Sequence, residues 1–188
     1  MSIIQKLILI FFIVLSPSLV NAQSLILESV ETKYQAGDYF QINLSVDAEN
    51  QAINAISGII KIPNDKLEII NTKYGNSIVS LWAEHPTINT AAGEITFTGG
   101  MPGGFSGQDG PILSFIVRAK NVGIATIFLA DFKVMSNDGL GTKLKNILLK
   151  PIKLDIVENP TGSKIISPVD VNNQKQRELY SDIVPPEN

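Results

Sequence analysis

The fold is decided by residues 34–71, which contain YQAGDYFQINLSVDA (34–48) and AINAISGIIKIPNDKLEIIN (52–71). After a Gly-Asp turn, polar and apolar side chains alternate over residues 39–48. This period of two is typical of a strand with one buried and one solvated face. The next strand places four residues on one parity, Ile56, Gly58, Ile60 and Ile62. A third strand begins at Leu67, so the stretch predicts a series of short strands and contains no catalytic pattern.

Turn residues recur along the rest of the chain at a spacing of 8–12 residues. Short strands at this spacing, without a long segment of helical period, predict an all-β sandwich or barrel. Nine strands are expected, at residues 24–31, 38–48, 53–62, 67–73, 87–91, 94–99, 111–120, 124–134 and 143–157. This number favours a two-sheet jelly-roll β-sandwich over a closed barrel. One helical turn over residues 77–83 would be too short to carry the fold.

Alternation also assigns the faces of the strands at 94–99 and 111–120. The residues expected to point inward are Ile95 and Phe97 in the first, and Leu113, Phe115 and Val117 in the second. The strand at 124–134 fits both parities, so its faces stay unassigned. Pro151 has no backbone N–H to donate, which predicts a bulge or a change of sheet at an edge.

The first 22 residues have the pattern of a signal peptide. Lys6 precedes an uncharged run at residues 7–15, and Val20 and Ala22 supply the small residues of a cleavage site. We expect cleavage after Ala22 and therefore a secreted, extracellular or cell-surface domain. If it were not cleaved, the segment would anchor the chain in a membrane, although it is short for a span of about twenty residues.

The folded domain is expected at 23–157, because residues 158–188 are polar, contain prolines and lack an apolar face. Such a composition predicts a flexible tail. The chain has no Cys, so its stability must come from the apolar core alone. With Lys6 removed, 14 basic and 18 acidic side chains leave a mature charge of −4. This charge, without any basic run, argues against nucleic acid and anionic membranes as partners.

Residues suited to catalysis do not form a recognisable set. The one histidine, His85, stands before a proline, and no second His or Cys completes a metal site. The carboxylates of Asp38, Asp47, Asp65 and Glu68 lie at turns or on solvated strand faces. Paired-carboxylate hydrolysis needs two of them on facing walls of a cleft, a geometry that the sequence leaves open but does not indicate. We expect no enzyme activity, no cofactor and no metal.

Three features have two interpretations each. The glycine-rich segment 99–110 is either a long flexible loop or the mobile rim of a binding surface with Phe105 as its apolar contact. The segment 136–142 is more simply an Asn-Asp-Gly turn than half of a calcium loop, because the closing Glu is missing. Trp82 is either part of the core, which its apolar neighbours favour, or an exposed platform.

A series of segments then carries a family resemblance: AGDYFQINLSV (36–46), INAISGIIKIP (53–63), LEII (67–70), GEITFTGG (93–100), GFSG (104–107), PILSFIVRAK (111–120), VGIATIFL (122–129) and SNDGLGT (136–142). Taken in order, they resemble the cohesin-like domains of bacterial surface proteins, whose superfamily includes certain cellulose-binding modules. The resemblance implies a nine-stranded jelly-roll sandwich that binds a protein or a polysaccharide and catalyses nothing. Cellulosomal cohesins bind dockerin modules of glycoside hydrolases through one sheet face.

The resemblance therefore implies a secreted module that docks a dockerin-like protein, with strand 53–62 in the docking sheet and strand 94–99 beside it. The residues expected at the binding surface are Ser57, Ile59, Thr96 and Thr98, with Phe105 in a loop at one rim. The other interpretation is that these are ordinary outward positions, where Thr and Ile are favoured in any strand. Direct polysaccharide binding is the alternative function. An aromatic content of 7% with one Trp argues against a planar row of rings for a crystalline polysaccharide.

Overall fold

A computed structural model of the protein describes residues 23–160, and all regular elements in this range are strands. They are β1 (Ser24–Ser29), β2 (Lys33–Gln35), β3 (Tyr39–Asp47), β4 (Glu49–Lys61), β5 (Leu67–Lys73), β6 (Leu81–Asn89), β7 (Glu94–Gly107), β8 (Gly110–Ala119), β9 (Gly123–Ser136), β10 (Leu148–Lys150) and β11 (Ile152–Val157). No helix long and apolar enough to cross a membrane occurs within 23–160. The predicted signal peptide and nearly all of the predicted tail lie outside the described residues.

The strands form a sandwich of two sheets. The five-stranded sheet has the order β10-β1-β3-β8-β5, and the six-stranded sheet has the order β2-β11-β9-β4-β7-β6. Each of the nine predicted strands overlaps one of the nine longer strands, although β6 begins six residues before the strand expected at 87–91 and the one expected at 143–157 contains both β10 and β11. The two additional strands, β2 and β10, are three residues long and lie at sheet edges, where each pairs in parallel with one neighbour. The all-β sandwich is confirmed.

The expected loop at 99–110 is a wrong prediction, and the short helical turn that the sequence allowed does not form. The expected loop at 99–110 is strand as far as Gly107, and β6 begins at Leu81, so no helical turn occurs at 77–83. Gly99 stays in the sheet because it is a site of close approach rather than a turn residue. A Cβ atom built there would lie 2.3 Å from the Val79 side chain. A larger residue would not fit there, so the sheet passes this point only with glycine.

Pro151 marks the predicted change of sheet. β10, just before it, is an edge strand of the five-stranded sheet, whereas β11, just after it, pairs with β9 in the six-stranded sheet. The missing N–H costs no ladder hydrogen bond at a position between two strands. The crossing lets one segment of chain contribute the edge strand β10 to one sheet and the inner strand β11 to the other.

β9 changes parity in its middle, which explains why its sequence fits both. Before the change, Ala125, Ile127 and Leu129 are buried, and after it Val134 and Ser136 are buried. The extra residue lies between Ala130 and Lys133, where the pairing with β4 shifts register. Asp131 takes a positive φ of 53° at this point. Asp is one of the few residues that tolerate this conformation, so Asp131 is the residue whose type favours a β-bulge here.

The core lies between the two sheets and is almost entirely aliphatic and Phe. Its largest fully buried side chains are Phe97, Phe115, Leu25, Ile42, Leu44, Ile53, Ile56, Ile60, Leu67, Ile95, Ile112 and Ile127. The apolar parity predicted for residues 40–48 is buried throughout, as are the inward residues predicted for β7 and β8. Burial of each such side chain stabilises the fold by about 1.5–3 kcal/mol.

Candidate functional site

Four of the predicted site residues meet on the outer face of the six-stranded sheet. Ser57 of β4 lies directly opposite Thr98 of β7, and Ile59 lies opposite Thr96. All four are partly exposed, because the other parity of these strands holds core residues such as Ile60 and Phe97. Directly opposite residues have Cβ atoms about 5 Å apart. The four side chains therefore form one compact square, with a hydroxyl–hydroxyl pair beside an apolar–hydroxyl pair.

A shallow groove of about 450 Å³ runs over this square. Its other polar lining residues are Glu84, Asp131, Lys133 and Lys143. The Thr96 Oγ1 donates a hydrogen bond of 3.4 Å to the Glu84 Oε1. The groove is therefore weakly polar at its centre and charged at its rims.

The floor beneath the groove is held by aromatic rings. Gly58 has no side chain, and a Cβ built there would lie 2.6 Å from the Phe132 ring. The ring of Phe132 in turn meets Phe97 edge to face at 5.8 Å. Because a substituted Gly58 would displace Phe132, the glycine allows this ring to lie directly under the sheet. The rings of Phe132 and Phe97 therefore pack closely beneath the strands that carry the square.

The same sheet face exposes two apolar residues that the sequence analysis missed. Phe128 and Ile124 of β9 are each 49% exposed. Phe128 lies opposite Lys61, whose ammonium group pairs with Glu94. The faces of β9 were unassigned because of the bulge. The signal that could have found Phe128 is Asp131, an acidic residue in the middle of a strand that is otherwise mostly apolar.

Phe105 lies in a strand and not in the loop where it was expected. It lies in β7 opposite Ile53, is half-buried, and packs against the core. A Cβ built at Gly110 would lie 2.5 Å from its ring. The ring therefore packs on the margin of the core, and its role as a partner contact stays a prediction.

Trp82 also belongs to the margin of the core. Its ring meets Phe97 at 6.2 Å and Tyr74 at 5.3 Å, edge to face in both cases. It is half-buried, which agrees with the core interpretation, and His85 lies exposed beside it with 6.2 Å between ring centroids. Within residues 23–160, no group of three His, Asp or Glu side chains could hold a metal ion.

The segment 136–142 forms the expected Asn-Asp-Gly turn. The Leu140 N–H donates a hydrogen bond of 2.8 Å to the Asp138 Oδ1. Hydrogen bonds from the Thr142 side chain and from this backbone amide lower the pKa of the exposed Asp138 carboxyl below its usual value. Gly139 and Gly141 both take positive φ, so the carboxylate closes a tight turn.

The outer face of the five-stranded sheet has a different chemistry. It contains a groove of about 470 Å³ whose polar lining includes Gln41, Asn43, Lys73 and Ser114, with Tyr74, Pro111 and core residues of β3 and β8 as its apolar part. The Gln41 amide donates a hydrogen bond of 2.8 Å to the Asn43 Oδ1. These groups are strong hydrogen-bond partners for water.

Comparisons with known proteins identify the fold. No protein-family model and no curated protein matches the chain. Solved structures that match include cohesin modules. A non-cellulosomal cohesin from the archaeon Archaeoglobus fulgidus is 17% identical with a TM-score of 0.60, over 74% of this chain and 94% of that one.

Two bacterial structures give the same result. A Clostridium thermocellum type I complex of the OlpC cohesin with the dockerin Doc435 matches at 18% identity and a TM-score of 0.61, covering 76% of this chain and 98% of that one. A cohesin module of a Clostridium perfringens family 33 glycoside hydrolase matches at 11% identity and a TM-score of 0.58, covering 74% and 100%. The chain has the cohesin fold.

Proposed function

We propose that this chain is a secreted or cell-surface binding module without catalytic activity, which docks a dockerin-like protein on the outer face of its six-stranded sheet. One observation carries the proposal. Ile59 and Phe128 are accessible on the same face, beside the hydroxyl groups of Ser57, Thr96 and Thr98. This face therefore combines apolar anchors with polar groups that are inexpensive to bury.

The energetics of this face suit protein association. The ring of Phe128 is about half exposed to water. Burying this apolar area against a partner would favour binding by about 25 cal/mol for each Å². Hydroxyl groups lose water on docking but regain hydrogen bonds across the interface. Interface centres are depleted in charge and enriched in aromatic residues. The square and Phe128 match this composition, and the Lys61–Glu94 ion pair between them neutralises its own charges.

Several structures with the cohesin fold were solved with a dockerin bound. They include the OlpC and OlpA cohesins of Clostridium thermocellum and the sixth cohesin of scaffoldin B from Acetivibrio cellulolyticus. At these low identities, the matches assign only the fold to this chain. Its dockerin-like partner and its extracellular location are part of the proposal. A dockerin-like protein is the partner that is consistent with both the fold and the exposed face.

The test uses one charge on each outer face. Ile59→Asp places a carboxylate in the proposed docking face, and Asn43→Asp places the same group on the opposite sheet. Proteins secreted by the host or displayed on its surface are captured on the full chain, purified, and titrated by calorimetry. We expect Ile59→Asp to weaken binding at least tenfold, about 1.4 kcal/mol, and Asn43→Asp to leave it unchanged. Equal affinity of the two variants would show that docking occurs elsewhere.

Direct polysaccharide binding, the alternative expected from the sequence, has less support. Phe128 is the only strongly exposed Phe, Tyr or Trp side chain within residues 23–160. A flat polysaccharide surface is usually bound by several rings that stack on it. We expect the protein to remain in solution when mixed with insoluble cellulose or chitin. Clear retention on either polymer would overturn a purely protein-docking role.

A further inference from the structure

One row of residues crosses four strands of the docking face and carries opposite charges at its ends. The row runs from Lys133 of β9 through Ser57 of β4 and Thr98 of β7 to Glu84 of β6, each directly paired with the next. Lys143 is bridged to Met135 and adds a second ammonium group on the β9 side of the groove.

The charges at the two ends are not neutralised by ion pairs of the protein. The ion pairs within residues 23–160 are Lys61–Glu94, Lys66–Asp65 and Arg118–Glu68. The Glu84 carboxylate receives only the long hydrogen bond from Thr96. Asp131 also lies on the β9 side, where it offsets one of the two lysines. The β9 rim therefore has a net charge of +1, and the opposite rim has −1 at Glu84.

The two ends are also too far apart to neutralise each other. Adjacent strands are about 4.8 Å apart, so three spacings separate Lys133 from Glu84 by about 14 Å. This exceeds the screening length of about 8 Å at physiological ionic strength. Both charges are therefore solvated in the free protein, and a partner with complementary charges can pair with each end independently.

The length of the row corresponds to three turns of an α-helix. Three turns rise about 16 Å, close to the row's length of about 14 Å, and they return the side chains at i and i+11 to the same face. Ser57 and Thr98 have short side chains at the centre of the row. A helix lying across the strands can approach them closely only if its own central side chains are small. The helix dipole further favours an acidic residue near the N-terminus and a basic residue near the C-terminus.

We propose that the row Lys133–Ser57–Thr98–Glu84 selects a partner helix that carries an acidic residue, two small residues and a basic residue on one face, with the charges about three turns apart. The acidic end lies over Lys133 and Lys143, and the basic end lies over Glu84. This proposal rests on the docking function proposed above and specifies which protein surface the face accepts.

The experiment sorts a yeast-displayed library of three-helix bundles against the full chain. One helix of each bundle is randomised at the surface positions i, i+4, i+7 and i+11. We expect enriched sequences with Asp or Glu at i, Ala, Ser or Gly at i+4 and i+7, and Lys or Arg at i+11. Their affinity should fall about tenfold with the double variant Lys133→Glu/Lys143→Glu, and about tenfold with Glu84→Lys.

Matched controls carry the same charge changes away from the row. Lys153→Glu lies on the same sheet in β11, and Glu28→Lys lies in β1 of the other sheet. Both side chains are exposed, and we expect their affinities to stay within about twofold of the wild type. Sorting against the exchanged variant Lys133→Glu/Glu84→Lys should return binders with the basic residue first.

The outcomes separate this proposal from the one on which it rests. Binders that are lost with Ile59→Asp but lack the charge order, or are unaffected by Glu84→Lys, overturn the charge-reading row and leave the docking face in place. Binders that are insensitive to Ile59→Asp and to Phe128→Ala overturn the docking face itself. Enrichment of the stated pattern together with loss on Glu84→Lys supports both.

Discussion

The outer faces of the two sheets are built by the same alternation and yet differ in chemistry. The five-stranded sheet presents mostly amide, hydroxyl and charged groups to water, including Gln41, Asn43 and an Arg118–Glu68 ion pair of 3.5 Å, and exposes Ile70 at its β5 edge. The six-stranded sheet exposes Ile59 and Phe128 around hydroxyl groups. Their inward parities cannot be told apart, since both are aliphatic and Phe. The residues on the solvated parity are therefore the basis for proposing the six-stranded face as the docking face.

The largest expected effect is on the stability of the hydrophobic core that the two sheets share. Phe97→Ala removes a ring below the six-stranded sheet, and Phe115→Ala removes one below the five-stranded sheet. Each should lower the free energy of unfolding in urea by about 3–5 kcal/mol, because both rings are fully buried in one core. Thr96→Ala, on the docking face, should change it by about 0.5 kcal/mol or less. A mild effect of either Phe substitution would show that the sheets do not share a single core.

The next effect separates the two faces. Phe128→Ala should weaken partner binding by about 2 kcal/mol, roughly 30-fold, because an exposed aromatic ring at an interface centre is a typical hot spot. Ile70→Ala removes an apolar side chain of β5 that is 39% exposed, and we expect no change in affinity. Calorimetric titration of both variants measures the difference. If Ile70→Ala were the more damaging substitution, the assignment of the faces would be reversed.

A smaller effect tests the bulge that turns Phe128 outward. Asp131 has a φ of 53°, which a β-branched residue adopts at a cost of about 1–2 kcal/mol and glycine adopts freely. We expect Asp131→Val to lower the midpoint of thermal unfolding and Asp131→Gly to leave it nearly unchanged. Equal midpoints for the two variants would mean that the backbone at this position is not strained and that another residue sets the parity of β9.

The smallest effect lies outside both faces, in the turn at Asp138. Hydrogen bonds from Thr142 and Leu140 lower the pKa of its carboxyl. The ionised carboxylate therefore stabilises the turn fully at pH values above the ordinary carboxyl pKa, and this contribution is lost as the pH falls through the lowered pKa. An NMR titration should place the pKa of Asp138 below its usual value. Thr142→Val should raise that pKa towards the usual value without changing partner affinity. An unshifted pKa in the wild type would contradict the hydrogen-bonded turn.

Residues that obey one period were predictable from the sequence. In β3 the apolar parity at residues 40–48 is unbroken, so both its strand and its faces were assigned. Pro151 was equally informative, because a residue without an N–H has few places in a sheet. The square of Ser57, Ile59, Thr96 and Thr98 followed from the same alternation. Which strands pair across it was implied by the family resemblance.

Residues whose role depends on a neighbouring strand could not be predicted. Gly99 suggested a loop, whereas Val79 packs where its side chain would be. Asp131 changes the parity of β9, and that change is visible only in the pairing with β4. Phe128 and Glu84 were missed as members of the face for the same reason. Local alternation gives a strand its two sides but does not give the register of the strand beside it.

The most direct measurement maps the bound partner by amide NMR or hydrogen exchange on the full chain. The account predicts that partner binding perturbs and protects β4, β7 and β9 around Ile59, Thr96 and Phe128. The five-stranded face around Asn43 and Ser114 should be unchanged. Protection centred on Asn43 and Ser114, with Ile59 and Phe128 unaffected, would contradict the claim that the six-stranded sheet is the docking face.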